Sequence, residues 1–313
     1  MASLLVIGGS GFFGKSFLDS FQRGLLRPWS IDKVLILSRH ATDLLTSHPE
    51  LLSGAIELID VDITTVDFLP FADYVVHAAA STDASRYLSH NEEEKKNIIM
   101  GILNYCQLAT RFHKDSMIVF TSSGAVYGYQ PEYVKYLTED MAFGDIENLD
   151  EVKKSYAYAK RDAESAIQKL GQAGLNVSIA RCFSFIGKYL PRDQHFAIGN
   201  FIADGLTGRD INVKADRRVC RSYMYADDLV KWLMTLAENA NPHCPIYNVA
   251  SDCEFEIGEL ADIVADIFNV EVVYSEERKN LVDRYIPSVE KAINNLGLGL
   301  DYTLKESILK ISQ

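Results

Sequence analysis

Two side chains four positions apart, Tyr156 and Lys160, carry the clearest chemistry in this sequence. Inside a helix that spacing puts both on one face, where the ammonium is placed to lower the phenol's pKa and to reach a ribose hydroxyl. Tyr158 falls on a different face. A turn of hydroxyls, Thr121-Ser122-Ser123-Gly124, comes earlier and follows the apolar run Met117-Ile118-Val119-Phe120. Ser123 beside a tuned phenol makes a proton-transfer unit for a carbon–oxygen centre. A pair of aromatic core residues in an amphipathic helix is the plainer alternative, and it loses ground because a glycine loop and a hydroxyl strand end precede the helix.

Such a unit does redox work when a hydride carrier faces it. The N-terminus offers a place for one. Leu4-Leu5-Val6-Ile7 stops at Gly8-Gly9-Ser10-Gly11-Phe12-Phe13-Gly14, and helix-compatible residues follow from Lys15 to Phe21. This reads as strand, glycine turn, helix. Glycines at 8, 11 and 14 permit a tight turn, a close approach to pyrophosphate and close helix–strand packing, while the helix start offers free N–H groups. Glycine triplets also occur in ordinary turns, but a second apolar run, Lys33 to Leu37, arrives at βαβ distance. It ends in Ser38-Arg39-His40, where an NAD site usually places a carboxylate for the ribose 2′-hydroxyl. With a cation there instead, NADP(H) is expected over NAD(H), the alternative being that Arg39 is a solvated loop charge.

The elements that must position these groups alternate along the chain. Ile56 to Ile59 is a third strand, after which Asp62-Ile63 could border an adenine, or Asp62 could cap the next turn. Tyr74 to His77 is a fourth, running into Ala78-Ala79-Ala80, whose small side chains would let a cofactor lie against the backbone. His77 is expected to be a hydrogen-bonded structural histidine, and no metal site is expected, since no partner ligand stands at metal spacing. Glu92 to Phe112 reads as a long helix, and helical periods return at Phe196–Leu206 and Ile257–Phe268. The expected fold is α/β, a doubly wound parallel (Rossmann) sheet with a smaller C-terminal lobe. Residues 1–180 would bind the dinucleotide, about 219–250 would return to that domain, and 181–313 would mainly hold substrate. Arg278 and Arg284, in a loop-like stretch, could complete an anionic pocket or be surface charge.

Composition narrows the class. The chain has 313 residues, 48% hydrophobic and 24% charged, enough for one large α/β domain or two lobes. A net charge of −12 argues against a nucleic-acid surface. Five scattered cysteines (106, 182, 220, 244 and 253), without a CxxC pair, suit reduced thiols. With neither a basic leader nor an apolar span of membrane length, a cytoplasmic protein is expected.

At this point the chain resembles the extended short-chain dehydrogenase/reductase family, in its nucleotide-sugar epimerase, dehydratase and reductase branch. The likeness rests on Gly8-x-x-Gly11-x-x-Gly14, Asp62-Ile63, His77 to Ala80, Asn97, Ser122 to Gly128, Tyr156-x-x-x-Lys160, Arg181 to Ser184, Arg221 to Asp228 and Tyr247 to Ala250. It implies that Tyr156 is the general acid/base, that Lys160 holds the nicotinamide ribose and tunes Tyr156, and that Ser123 binds the reacting oxygen. By the same resemblance Ser10, Phe12, Phe13, Ala78, Ala79, Ala80, Asn97 and Cys182 join the glycines, Ser38, Arg39, Asp62 and Ile63 around the cofactor. Ser81, Gly124, Ser184, Asn200 and Arg221 would face a nucleoside-diphosphate sugar, and two copies would form a homodimer through the Glu92–Phe112 and Ser155–Gly171 helices. Gly124-Ala125 stand where the dehydratases carry acids, Ser184 replaces an Asn, and Ser38-Arg39 departs from the NAD pattern. The leading expectation is therefore an NADPH-dependent reductase of a nucleotide-linked 4-keto-6-deoxy sugar, of the kind used in deoxysugar and O-antigen synthesis. A 4-epimerase or related dehydratase on retained NAD is the alternative, and a redox-silent dinucleotide-binding module is a more distant one.

Overall fold

The computed structural model describes residues 1–80, 84–147, 149–192, 196–274, 279 and 281–312. Four consecutive apolar residues can all be buried only in a strand covered on both faces, and that is the position of β1 (Ala2–Ile7), whose Leu4, Leu5, Val6 and Ile7 are fully buried. Then come α1 (Phe12–Gln22), β2 (Ile31–Ser38), the one-turn α2 (Leu44–Ser47), β3 (Ile56–Asp60), β4 (Tyr74–His77), α3 (Ala84–Phe112), β5 (Met117–Ser123), α4 (Glu151–Gln172) and β6 (Asn176–Cys182). The later chain forms β7 (Phe185–Ile186), α5 (Ala197–Leu206), β8 (Ile211–Val213), β9 (Arg218–Arg221), β10 (Met224–Tyr225), α6 (Ala226–Glu238) and β11 (Ile246–Val249). It closes with β12 (Phe255–Glu256), α7 (Ile257–Phe268), β13 (Val272–Tyr274), β14 (Val282–Tyr285), α8 (Glu290–Leu296) and α9 (Leu304–Ile311).

A seven-stranded sheet in the order β11-β6-β5-β4-β1-β2-β3 is parallel throughout, so the chain has the doubly wound α/β fold. Alternate residues of each strand serve opposite faces. Leu4, Val6, Val34 and Ile36 pack with Phe17 of α1 and Leu229, Trp232 and Leu233 of α6. Leu5, Ile7, Leu35 and Leu37 pack with Ile102, Tyr105 and Leu108 of α3 and with Ile167 of α4. The strand order reverses at β1, between β2 and β4, which opens a crevice at the carboxyl ends of the strands.

The smaller layers stand over that crevice. β12, β9 and β14 form a three-stranded sheet, β10 pairs with β7, and β13 with β8. α5, α7 and α9 share an apolar core with Ile186, Tyr223 and Tyr225. α7 and α9 each begin with a reciprocal capping box, Glu256 with Glu259 and Thr303 with Glu306. Three expectations change. α3 begins at Ala84 rather than Glu92 and is kinked at His90, where φ is −141°. Arg284 lies in β14 rather than in a loop, and Arg278 lies outside the described residues. His77 is buried, and among the described residues neither ring nitrogen finds a hydrogen-bond partner; the Tyr105 and Phe120 rings pack against it. Burial holds its pKa down at about 3, so the ring is neutral.

Candidate active site

β5 carries Ser123, and α4 carries Tyr156 and Lys160, to one wall of a cavity of about 1010 Å³. Asp150 caps the start of α4 by accepting from the Lys153 N–H at 2.9 Å, and Tyr156 and Lys160 of that helix face the cavity. Lys160 donates to the carbonyl of Thr121 at 2.9 Å, and its ammonium lies 5.7 Å from the centre of the Tyr156 ring. Burial lowers its pKa to about 8. The phenol of Tyr156 is pushed up to about 12 by burial, and the group that pulls it back down is the Ser123 hydroxyl. The Lys160 ammonium is turned to the Thr121 carbonyl, and burial is the largest influence on the phenol. Tyr158, on the other face, donates to Glu147.

Ser123 also accepts from the Ala125 N–H at 3.2 Å. Above it stands Tyr285, which sequence reasoning missed while noticing its neighbour Arg284. Its hydroxyl lies 2.5 Å from where a Cβ on Gly124 would be, and the Phe183 ring lies 2.6 Å from the same point. Residue 124 therefore has no room for a side chain. Nothing local in the sequence points to Tyr285, because it enters the site through the register of β14 with β9, where it pairs with Arg221.

Behind this wall runs a buried polar chain. Ser122 Oγ donates to Glu164 Oε1 at 2.6 Å, and Arg181 grips both Glu164 oxygens at 3.0 and 2.9 Å. Arg181 also donates to Tyr127 Oη at 3.0 Å, Tyr127 donates to Asn248 Oδ1 at 2.8 Å, and Asn248 Nδ2 donates to the carbonyls of Leu137 and Ser288. The ends of β5, β6 and β11 are thereby tied to α4. Glu164 stands four residues after Lys160, the one hint of this pair that the sequence carries.

At the other end of the cavity the glycine loop meets the sheet. Gly8 has φ +84°, and a Cβ there would lie 2.7 Å from the Ala78 and Ala79 backbone. A Cβ on Gly14 would lie 1.9 Å from the Gly9 carbonyl, so Gly14 seals α1 against its loop. Gly11, in contrast, is open: the nearest atom to a Cβ would be 3.5 Å away. It precedes an α1 start with no side-chain cap, leaving N–H groups aimed outward. That open cradle fits a dinucleotide pyrophosphate. Phe12, Phe13, Ala78, Ala80 and Cys182 line the same cavity, while Ser10 and Ala79 are half-buried beside it. The Cys182 thiol is pushed up to about 12 by burial.

Farther out, Ser38 ends β2 half-buried and Arg39 is exposed. Asp62 Oδ1 accepts from both the N–H and the hydroxyl of Thr64 at 2.8 Å, so it caps that turn. Asn104 of α3 fixes the Ile63 carbonyl at 2.9 Å, and Asn97 is half-buried on the same helix. On the substrate side, Ser184 and Arg221 line the cavity, Asn200 is half-buried on α5, and Ser81 lies outside the described residues. The guanidinium of Arg221 is held by Asp283, through its carbonyl at 2.8 Å and its carboxylate at 3.0 Å. Arg284 is paired with Glu254 at 3.1 Å.

A family model described as NAD dependent epimerase/dehydratase matches residues 4–250. UDP-glucuronic acid decarboxylase 1 of Arabidopsis thaliana is 28% identical over 311 residues, covering 97% of this chain and 68% of that protein. In structure, the chain is similar to UDP-glucose 4-epimerase of Thermotoga maritima with UDP-glucose (TM-score 0.79, 20% identity, 99% of this chain and 97% of the other). It is similar as well to DesIV, a dTDP-glucose 4,6-dehydratase from Streptomyces venezuelae with NAD and TYD bound (TM-score 0.80, 22% identity, 99% and 95%).

Proposed function

The chain belongs to the NAD dependent epimerase/dehydratase family, whose members are NAD(P)-dependent enzymes of nucleotide-sugar chemistry, and from that premise we propose that it is a nucleotide-sugar 4-epimerase working on retained NAD. The observation that carries this reading is the make-up of the wall around Ser123. Among the described residues that line the cavity, the carboxylates are Asp150 and Asp283. Asp150 is taken by Lys153 and Asp283 by Arg221. At 124, where an eliminating acid would be needed, the space is filled by Tyr285 and Phe183. What remains is a unit for moving one proton at one carbon–oxygen bond.

In this reading Tyr156 takes the proton of the sugar C4 hydroxyl and later gives it back, Ser123 holds the oxygen, and Lys160 holds the ribose. The nicotinamide, when bound, supplies the hydride acceptor and donor on that carbon. Gly8 and Gly11 with the start of α1 hold the pyrophosphate; Ser38 and Arg39 face the far ribose, and Asp62, Ile63, Ala78 to Ala80 and Asn97 border the rest. Arg221 and Asn200 hold the diphosphate of a nucleoside-diphosphate sugar, a guanidinium fork suiting phosphate oxygens. In the same reading residues 1–180, joined by α6 and β11, form the dinucleotide domain and the rest of 181–313 mainly the substrate lobe, working in the cytoplasm.

A second reading, the NADPH-dependent reductase of a 4-keto-6-deoxy sugar, is favoured by one observation: β2 ends in Ser38 followed by an exposed Arg39, without a carboxylate for a ribose 2′-hydroxyl. The purified protein separates the two. Its denatured extract should contain stoichiometric NAD, and UDP-glucose should be converted to its C4 epimer without added dinucleotide. Empty protein that oxidises NADPH on a keto sugar would replace the first reading with the second, and carbon dioxide released from UDP-glucuronic acid would make it a decarboxylase. Tyr156→Phe should lower turnover by roughly 10²- to 10⁴-fold, the usual share of general acid–base catalysis.

A further inference from the structure

Lys160 carries its ammonium into the interior, at 2% exposure. Such a group has three donors and a charge to satisfy. One donor goes to the Thr121 carbonyl at 2.9 Å, and Thr121 is itself fixed by its hydroxyl on the His77 carbonyl at 3.1 Å. The charge has no counter-ion: among the described residues no carboxylate pairs with Nζ, and Glu164, one turn on along α4, is taken by Arg181 and Ser122. What the charge meets instead is a ring. Nζ stands over the Phe120 ring, 5.1 Å from its centre, and 5.7 Å from the centre of the Tyr156 ring. An aromatic face is the negative pole of the ring quadrupole and attracts a cation most strongly where water is excluded. Unlike a carboxylate, it does so without a directed hydrogen bond. We propose that Phe120 is a positioning residue for Lys160: its ring face holds the buried ammonium in place of a counter-ion and so leaves donors for the ribose of a bound dinucleotide.

Strand and helix periods build this contact. Phe120 and Ser122 stand two apart on β5 and share the face that α4 covers, while Lys160 and Glu164 stand four apart on α4. Ser122 meets Glu164, and Phe120 meets Lys160. The Phe120 ring is 2% exposed, in one core with Tyr105 of α3 and Ile167 of α4, and the His77 ring lies 5.7 Å from it. The other titratable groups that bear on Lys160 are Tyr156 and Glu164 of α4, Cys182 of β6 and His77 of β4. His77 is neutral, and burial pushes the Cys182 thiol up to about 12, so neither supplies a negative charge at neutral pH.

This role rests on the reading that Lys160 holds the ribose, and the first arm of its test is independent of turnover. In protein carrying carbon-13 at the lysine ε-carbons, the NMR signal that Lys160→Met removes reports the Lys160 titration. Phe120 is replaced by phenylalanines bearing one, two and three ring fluorines, which keep the shape and weaken the pull of the face stepwise. The Lys160 midpoint should fall with each fluorine, and by about one unit in Phe120→Leu, because the charged form loses its partner. In the second arm, turnover of UDP-glucose, the alkaline limb of the kcat profile should move to lower pH in the same order. A midpoint unmoved along the fluorine series, or one that moves in Phe120→Leu alone, would overturn the proposal and leave Phe120 a packing residue. An alkaline limb that stays in place in active protein would overturn it too. If the natural protein converts no nucleotide sugar, the epimerase reading fails, and the lysine titration decides the role of Phe120 by itself.

Discussion

Gly8 and Gly11 stand three residues apart in one loop, yet their surroundings ask different things of them. Gly8 combines φ +84° with a backbone neighbour 2.7 Å from any Cβ, whereas Gly11 has nothing nearer than 3.5 Å. Gly8→Ala should therefore destabilise the fold, by roughly 1–3 kcal/mol for the strained backbone, and lower the melting temperature. Gly11→Ala should melt like the natural protein but lose dinucleotide from its extract, because the methyl group fills space needed by a pyrophosphate. Equal melting losses for both would show that the open space at Gly11 is structural. Nearby, His77 is a buried polar residue packed among aromatic rings whose ring nitrogens meet no hydrogen-bond partner among the described residues.

At the scale of elements, the Glu164–Arg181 pair clamps α4 to β6 and, through Ser122 and Tyr127, to β5 and β11. Both side chains are almost wholly buried, at 3% and 4% exposure, so removing one partner leaves a charge without compensation. Arg181→Met alone should cost about 3–5 kcal/mol in denaturant unfolding, and Arg181→Met with Glu164→Leu should recover much of that loss. Asp228, in the first turn of α6, is a different case. It accepts from the Asp301 N–H at 2.9 Å, while its other oxygen has no hydrogen-bond partner among the described residues. Burial raises its pKa from 3.8 to about 6. Between those values the folded protein keeps a proton that the unfolded chain has lost, so this group's contribution to stability falls as pH rises through the window. Measured against the natural protein, Asp228→Asn should gain stability from about pH 4 to about pH 7, by on the order of 2 kcal/mol. A constant difference across that range would mean that the carboxyl stays ionised.

For the whole molecule, α3 and α4 pack side by side on one face of the sheet, and α3 leaves Met100 and Leu103 at 40% and 56% exposure. We propose that this face joins two copies in a homodimer, as the family resemblance implies. Met100→Glu with Leu103→Glu should then give a monomer by sedimentation without loss of helix content. The net charge is −12, and in the proposed reading an anionic substrate depends on local cations such as Arg221, so its binding should weaken as salt rises. Among the described residues no helix is long and apolar enough to cross a membrane.

The doubly wound fold was legible in the sequence because its signals are local. A fully apolar strand running into Gly8-x-x-Gly11-x-x-Gly14 needs two covered faces and a tight turn, and Tyr156-x-x-x-Lys160 shares a helix face by the 3.6-residue period alone. Tertiary packing decided what those groups experience. Burial raises the phenol of Tyr156 and lowers Lys160. The pairing of β14 with β9, between segments some sixty residues apart, brings Tyr285 over Gly124 and engages Arg284 with Glu254. Periodicity and spacing report on neighbours along the chain, whereas desolvation and strand register depend on what the rest of the molecule places opposite.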